Sequence, residues 1–225
     1  LIAAWLRRIP TIVHEQNAVL GRGNRMLAPR ARAIATSFDP TGFVTGPLLA
    51  KGRLTGNPVR DQVITWSQQA YRAPDEQGPF NLLVFGGSEG ARVFSELVPT
   101  VLARLPQPFR ANLFVVQQAR EEDLAAVESA YRSSGIRAHV STFFSNLPEE
   151  MSKAHLVIGR AGASTVAELM AIGRPSLLVP LPHALDNDQL ANATRLAEAG
   201  GCWCLEQKTL SPELLAAELS RPAPH

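Results

Sequence analysis

Apolar residues along the chain gather into short, nearly unbroken runs separated by stretches of helical period. "NLLVF", "ANLFVV", "IRAHV", "HLVIG", "SLLVP" and "CWCLE" are each five or six residues long, and each precedes a segment whose apolar positions recur every three or four residues. A strand that faces water on one side alternates apolar and polar positions, whereas a strand covered on both faces reads as a continuous apolar run. The pattern predicts an α/β fold: a parallel sheet with helices over 88–105, 120–134, 147–154, 164–172, 187–199 and 211–219, six strand-helix units in one doubly wound domain. Upstream, "TIVH" (11–14) and "RAIATSF" (32–38) predict strands of a separate unit, and "LIAAWLRRIP" the last turns of an amphipathic helix stopped by Pro10. Between the two parts, Gly56, Asn57 and Pro58 mark a turn. The chain divides on this reading into residues 1–57 and 58–225, with the cleft between them as the default place for a ligand. A start at Leu1 rather than Met, and an end at "SRPAPH", read as a piece of a longer protein whose first unit is truncated.

Composition narrows the class. A chain of 225 residues that is 45% hydrophobic can bury a full core, and no apolar run approaches the ~20 residues that cross a bilayer. Cys202 and Cys204 are separated by one residue, too close for an ordinary disulfide and unlike zinc-ligand spacing, so both are expected as thiols in a cytosolic compartment. The net charge of +2 hides an asymmetry: residues 1–60 hold nine Lys and Arg against Glu15 and Asp39, a local excess of +7, while the rest is acidic. Such a region is either a solvated face or suits an anionic partner such as phosphate or an acidic membrane surface; without interleaved aromatics, nucleic acid is not expected.

Two glycine turns carry the candidate chemistry. In "NLLVFGGSEGARVF" an apolar strand runs into Gly86 and Gly87, then Ser88 and a helix. A helix starting at the carboxyl end of a parallel strand presents unpaired N–H groups and partial positive charge, which suits phosphate. The spacing is not G-x-G-x-x-G, the next strand ends in Gln117 and Gln118 rather than an acid, and no P-loop lysine follows, so neither a nicotinamide nor a P-loop site is indicated. Ser88 either caps its helix or joins a ligand. The second turn, "GRAGASTVAELM", leads to Glu168, which either completes a Thr165-x-x-Glu168 capping box or accepts hydrogen bonds from a ribose diol. His14 closes a predicted strand beside Glu15 as a tempting general base, while His139, His155 and His183 lack metal-ligand spacing.

Taken in order, "HEQNAVLGRGNRMLA", "GNPVR", "FGGSEGAR", "GRAGASTVAEL" and "DNDQLANA" resemble the MurG-type N-acetylglucosaminyltransferases of peptidoglycan synthesis, over nearly all of the chain. The resemblance implies a GT-B architecture of two Rossmann-like domains, the first truncated here, with UDP-N-acetylglucosamine held mainly by the second. Carried over position by position, it implies Asn17 and Gln189 at the sugar, Arg60 and Ser88 at the diphosphate, Glu168 at the ribose and Phe144 at the uracil. The backbone of Ala163, Ser164 and Thr165 would line the phosphates. It further implies an inverting transfer to lipid I at the cytoplasmic face of the inner membrane as a peripheral protein, with cell-wall or division proteins as further partners. No metal and no cofactor are implied, since Arg60, Ser88 and a helix N-terminus already neutralise the diphosphate. The base would lie on a glycine-rich loop before Leu1. Two alternatives stay open: a UDP-sugar epimerase of the same architecture, and a nucleotide-sugar binding module without catalysis.

Overall fold

The computed structural model describes residues 2–75, 78–87, 91–182 and 184–219. It contains two all-parallel sheets. The larger has six strands: β4 (Phe80–Phe85), β5 (Leu113–Gln118), β6 (Arg137–Ser141), β7 (Leu156–Gly159), β8 (Ser176–Leu178) and β9 (Cys202–Cys204). Their spatial order is β6-β5-β4-β7-β8-β9, so the chain winds outward from β4 in one direction and then from β7 in the other. β7 is buried throughout and β4 over its last four residues, as their unbroken apolar runs require. Successive side chains of β4 divide between two cores. Leu82 and Val84 join α4 (Arg92–Ala103), α6 (Leu124–Ser134) and α10 (Pro212–Leu219) on one face. Leu83 and Phe85 join α7 (Leu147–Lys153), α8 (Ala163–Ile172) and α9 (Asp188–Glu198) on the other.

The smaller sheet comprises β1 (Ile12–Glu15), β2 (Ala33–Thr36) and β3 (Gly52–Leu54), in that order. Its apolar cluster is small: Leu20, Ala28 and Ile34, with Val44 and Leu48 packed against it. Helix α1 (Ile2–Leu6) precedes it, and α2 (Arg22–Leu27) follows β1. Helix α2 was not predicted, nor were two further helices. One is α5 (Gln107–Asn112); the other, α3 (Asp61–Trp66), follows the turn at Gly56 and packs on α7 and α8, with Val63 fully buried among them.

Several predicted boundaries move. Helix α4 starts at Arg92, four residues later than expected, with Ala91 as its cap, and Ser88 lies outside the described residues. A short 3-10 turn over Glu121–Asp123 takes the first turn expected of α6. The strand expected over 32–38 spans only Ala33–Thr36, and Ser37 just beyond it still donates through its N–H and its hydroxyl to the Glu15 carbonyl.

A buried arginine ties the larger unit together. Arg174 donates to the carbonyls of Ile172 and Gly173 at the end of α8, of Ser152 in α7, and of Gln69 beyond α3. These bonds satisfy carbonyls that a helix end otherwise leaves unpaired.

Candidate functional site

The strand order reverses between β4 and β7, so their following connections leave toward opposite edges and open a crevice at the carboxyl ends. A cavity of about 500 Å³ lies there, walled by the ends of β4 and β5, the loop after β6, the start of α8, and Pro58 to Arg60. Gly87 lines it, and Gly159 pairs with the lining residue Phe85 across the two central strands. Gly87 has φ of +88°, a left-handed conformation that excludes other residues on backbone grounds, since a Cβ would meet nothing within 4 Å. At Gly159 a Cβ would sit 3.3 Å from the Phe85 carbonyl oxygen, so glycine lets the central strands close up.

Helix α8 points its N-terminus into this crevice. Gly162 is its cap, no side chain caps it, and the first intrahelical bond runs from the Val166 N–H to the Gly162 carbonyl. The N–H groups of Ala163, Ser164 and Thr165 therefore lack intrahelical acceptors, and Ser164 and Thr165 line the cavity. Starting the helix at Ala163 also removes the capping-box alternative: Thr165 occupies the third helical position, and Glu168 lies a turn further in. Glu168 instead meets Arg60. The guanidinium donates through Nε and Nη2 to the two carboxylate oxygens at 3.0 and 3.1 Å, a forked pair across 108 residues of sequence. Glu168 is 8% exposed, whereas the Arg60 side chain is 57% exposed. The carboxylate is thus fixed in the wall and the guanidinium is the partner able to leave it.

Phe144 and Phe143 stand at the opposite wall. Phe144 packs into the core with its ring edge-on to His139 at 5.3 Å, while Phe143 is 72% exposed. Gln118 also lines the cavity; its Oε1 accepts from the Gly86 N–H at 3.3 Å, and its Nε2 donates to the Thr142 carbonyl at 3.0 Å. It couples the glycine turn to the loop carrying both phenylalanines, a role the sequence did not reveal.

Asn17 and Gln189 do not line this cavity; Gln189 bonds Ala161, just before α8, and Asn17 is linked to the same residue through Asn192. Gln189 Oε1 accepts from the N–H groups of Ala161 and Leu181, at 3.3 and 3.0 Å. Asn17 is held from two sides. Its Nδ2 donates to Glu15 Oε1 at 3.3 Å, and its Oδ1 accepts from Asn192 Nδ2 at 2.9 Å. Glu15, 3% exposed, also accepts from the N–H groups of Asn17 and Gly21 and from Asn24 Nδ2. The acid beside His14 is thereby committed to shaping the loop, and His14 Nε2 lies 3.1 Å from the Gly56 carbonyl oxygen. A second bridge joins the two parts: Arg25 and Arg22 reach Asp186 at 2.6 and 3.4 Å, and the Arg25 guanidinium holds that carboxyl below the usual range. His183 lies outside the described residues.

Comparison with known proteins places this geometry. Residues 81–224 match the glycosyltransferase family 28 C-terminal domain, and residues 1–36 the glycosyltransferase family 28 N-terminal domain. A UDP-N-acetylglucosamine–N-acetylmuramyl-(pentapeptide) pyrophosphoryl-undecaprenol N-acetylglucosamine transferase from Methylorubrum populi is 51% identical over 97% of this chain and 60% of its own length. The crystal structure of MurG from Acinetobacter baumannii superposes with a TM-score of 0.79 at 31% identity, covering 97% of this chain and 60% of that one. A UDP-N-acetylglucosamine 2-epimerase from Neisseria meningitidis, solved with UDP-N-acetylglucosamine bound, shares the fold alone, at 13% identity and a TM-score of 0.62 over 97% of this chain and 62% of that one. The chain spans about 60% of the length of the transferases it matches. With two parallel α/β units, a crevice at the point of strand reversal and a domain match over most of its residues, this chain belongs to glycosyltransferase family 28.

Proposed function

We propose that the chain carries the donor side of an inverting hexosyltransferase that moves N-acetylglucosamine from UDP to lipid I, the undecaprenyl-pyrophosphoryl-N-acetylmuramyl-pentapeptide, giving lipid II. The observation that carries the reading is the cavity wall in which Arg60, Glu168 and the open N-terminus of α8 converge. Glu168 accepts from the ribose hydroxyls, and the Ala163, Ser164 and Thr165 backbone faces the diphosphate. Phe144 backs the uracil, and Asn17 and Gln189 serve the sugar. Ser88 is assigned to the diphosphate by resemblance. Arg60 changes partners: its bond to Glu168 in the free protein gives way to the diphosphate as the ribose takes the carboxylate. The acceptor 4-hydroxyl, deprotonated by a base, attacks the anomeric carbon, and the bond to the diphosphate oxygen breaks with its electron pair leaving on UDP. Arg60 and the helix N-terminus stabilise that growing charge more than the ground state, which is what accelerates transfer.

The division into a membrane-side unit over 1–57 and a donor unit over 58–225 belongs to the same reading. So does peripheral docking at the cytoplasmic membrane face, supported by the basic first sixty residues; among the described residues no helix is long and apolar enough to cross a membrane. Cell-wall or division proteins are proposed as further partners by the resemblance alone. The deciding experiment pairs Glu168→Ala with 2′-deoxyuridine diphosphate in a calorimetric double-mutant cycle. A direct ribose contact makes the two losses of affinity strongly non-additive, whereas additive losses remove Glu168 from the ligand. Transfer of labelled N-acetylglucosamine to a lipid I analogue then tests the acceptor.

A further inference from the structure

We propose that Asn192 is a positioning residue for sugar recognition: it fixes which way the Asn17 carboxamide faces and so sets the donor's sugar subsite without touching the ligand. The inference rests on the assignment of Asn17 to the sugar made above.

Asn192 lies on α9 and is fully buried. Its Oδ1 accepts from the Ala18 N–H at 2.7 Å, and its Nδ2 donates to the Ala161 carbonyl at 3.1 Å and to Asn17 Oδ1 at 2.9 Å. Backbone groups have fixed polarity: an amide N–H only donates and a carbonyl only accepts. Ala18 therefore demands the oxygen of Asn192 and Ala161 demands its nitrogen. A flipped Asn192 would set donor against donor and acceptor against acceptor. With Asn192 fixed, its second N–H requires the oxygen of Asn17, and Glu15 from the other side requires the Asn17 nitrogen. The polarity of two backbone groups is thus passed through Asn192 to Asn17, which keeps one N–H and one lone pair to offer outward.

The same helix holds the opposite side of the site. Gln189, three residues earlier, takes the Ala161 N–H while Asn192 takes the Ala161 carbonyl, so two amides on one face of α9 grip both polar atoms of the residue before Gly162. Gln189 spends its oxygen on backbone and keeps its Nε2 for a ligand. Asn192, 174 residues from Ala18, thereby ties a loop of the small sheet to the turn that starts α8.

The test uses this chain, titrated separately with UDP and with UDP-N-acetylglucosamine by calorimetry. Asn192→Asp keeps the size and the oxygen facing Ala18 but turns both donors into acceptors against Asn17 and Ala161. Expected is a loss of about tenfold in affinity for UDP-N-acetylglucosamine, with UDP affinity kept within about twofold. In an Asn17→Ala background the same change should add nothing to the ratio of the two affinities, because its effect passes through Asn17. Should Asn192→Asp fail to fold, Asn192→Ser, which retains one hydroxyl donor, must show the same selective loss at smaller size. Equal losses for both ligands mean a merely structural residue and overturn the proposal, as do an unchanged ratio in a folded variant or additive losses with Asn17→Ala. Equal affinity of the unmodified chain for both ligands overturns this inference alone; no binding of either overturns the proposed function beneath it.

Discussion

The two sheets of this molecule are held together by different means. The larger is clamped between two apolar clusters, and its central strands are buried on both faces. The smaller has three residues in its apolar cluster and relies on the four donors gathered by Glu15. Ile2, Trp5, Leu6, Ile9 and Ile12 around it stay exposed. Apolar burial is large but undirected, whereas hydrogen bonds are modest in net energy and directional. The larger sheet supplies stability; the smaller supplies placement of a loop.

This contrast can be broken most directly in the cores. Ile158→Ala, in the double-sided sheet, should lower unfolding free energy in urea by about 2–5 kcal/mol, and Ile34→Ala, in the small cluster that can collapse around a gap, should fall at or below the low end of that range. Equal losses would remove the distinction. Next in size is Glu15→Ala, which strands donors on Asn17, Gly21 and Asn24 and should cost about 3 kcal/mol, read locally as faster amide exchange in β1 and β2 with β4 and β7 unchanged. Faster exchange throughout would mean that the two sheets unfold as one.

Function sharpens the comparison at smaller cost in stability. Arg60 is largely exposed although it reaches into the wall, so Arg60→Met should change the melting midpoint little while weakening UDP about tenfold. A large loss of stability with UDP binding intact would make Arg60 a structural tie. The smallest effect concerns pH. His155 Nδ1 accepts from the Asn81 N–H at 2.8 Å, which needs a neutral ring, and burial, aided by the Arg174 charge, lowers its pKa below the ordinary 6.5. A group depressed in the folded state contributes fully above its unfolded pKa and loses that contribution as pH falls through the folded value. The melting temperature should therefore decline below about pH 6.5, and His155→Gln should flatten the decline. An unchanged slope would assign it to other groups.

Much of this was legible because both-face burial leaves an unmistakable mark. The runs at β4, β5 and β7 could be read directly, and with them the succession of strand-helix units along the chain, though not the spatial order of the strands. Strand β3 left no such mark: Gly52–Leu54 is three residues long, two of them exposed, with an arginine at its centre. Helices α3 and α5 span six residues each, too short to establish a period. In the site, the glycine turns and Glu168 stood out as residue types suited to their chemistry. The bond between Arg60 and Glu168 did not, nor did the grip of Asn192 on Asn17, because side-chain pairing at 108 and 175 residues of separation leaves no local pattern. Thr165 and Glu168 left two readings open for the complementary reason: the local pattern of a cap was present, but the helix began three residues too early to use it.

The reversal of strand order that opens the crevice also bears on how the chain folds. Pairing β4 with β7 brings together Asn81 and His155, 74 residues apart, whereas β4 and β5 are consecutive strands joined through α4 and α5. Closing so long a loop costs entropy before any contact repays it, and topologies rich in such pairings fold slowly. The seam between β4 and β7 should therefore gain protection late in pulse-labelled hydrogen exchange, after the flank formed by β4, β5 and β6. Simultaneous protection would show that the seam belongs to the nucleus. If it closes last, the crevice mouth is the final part of this sheet to take shape, and a nucleotide bound there would slow unfolding more than it speeds folding.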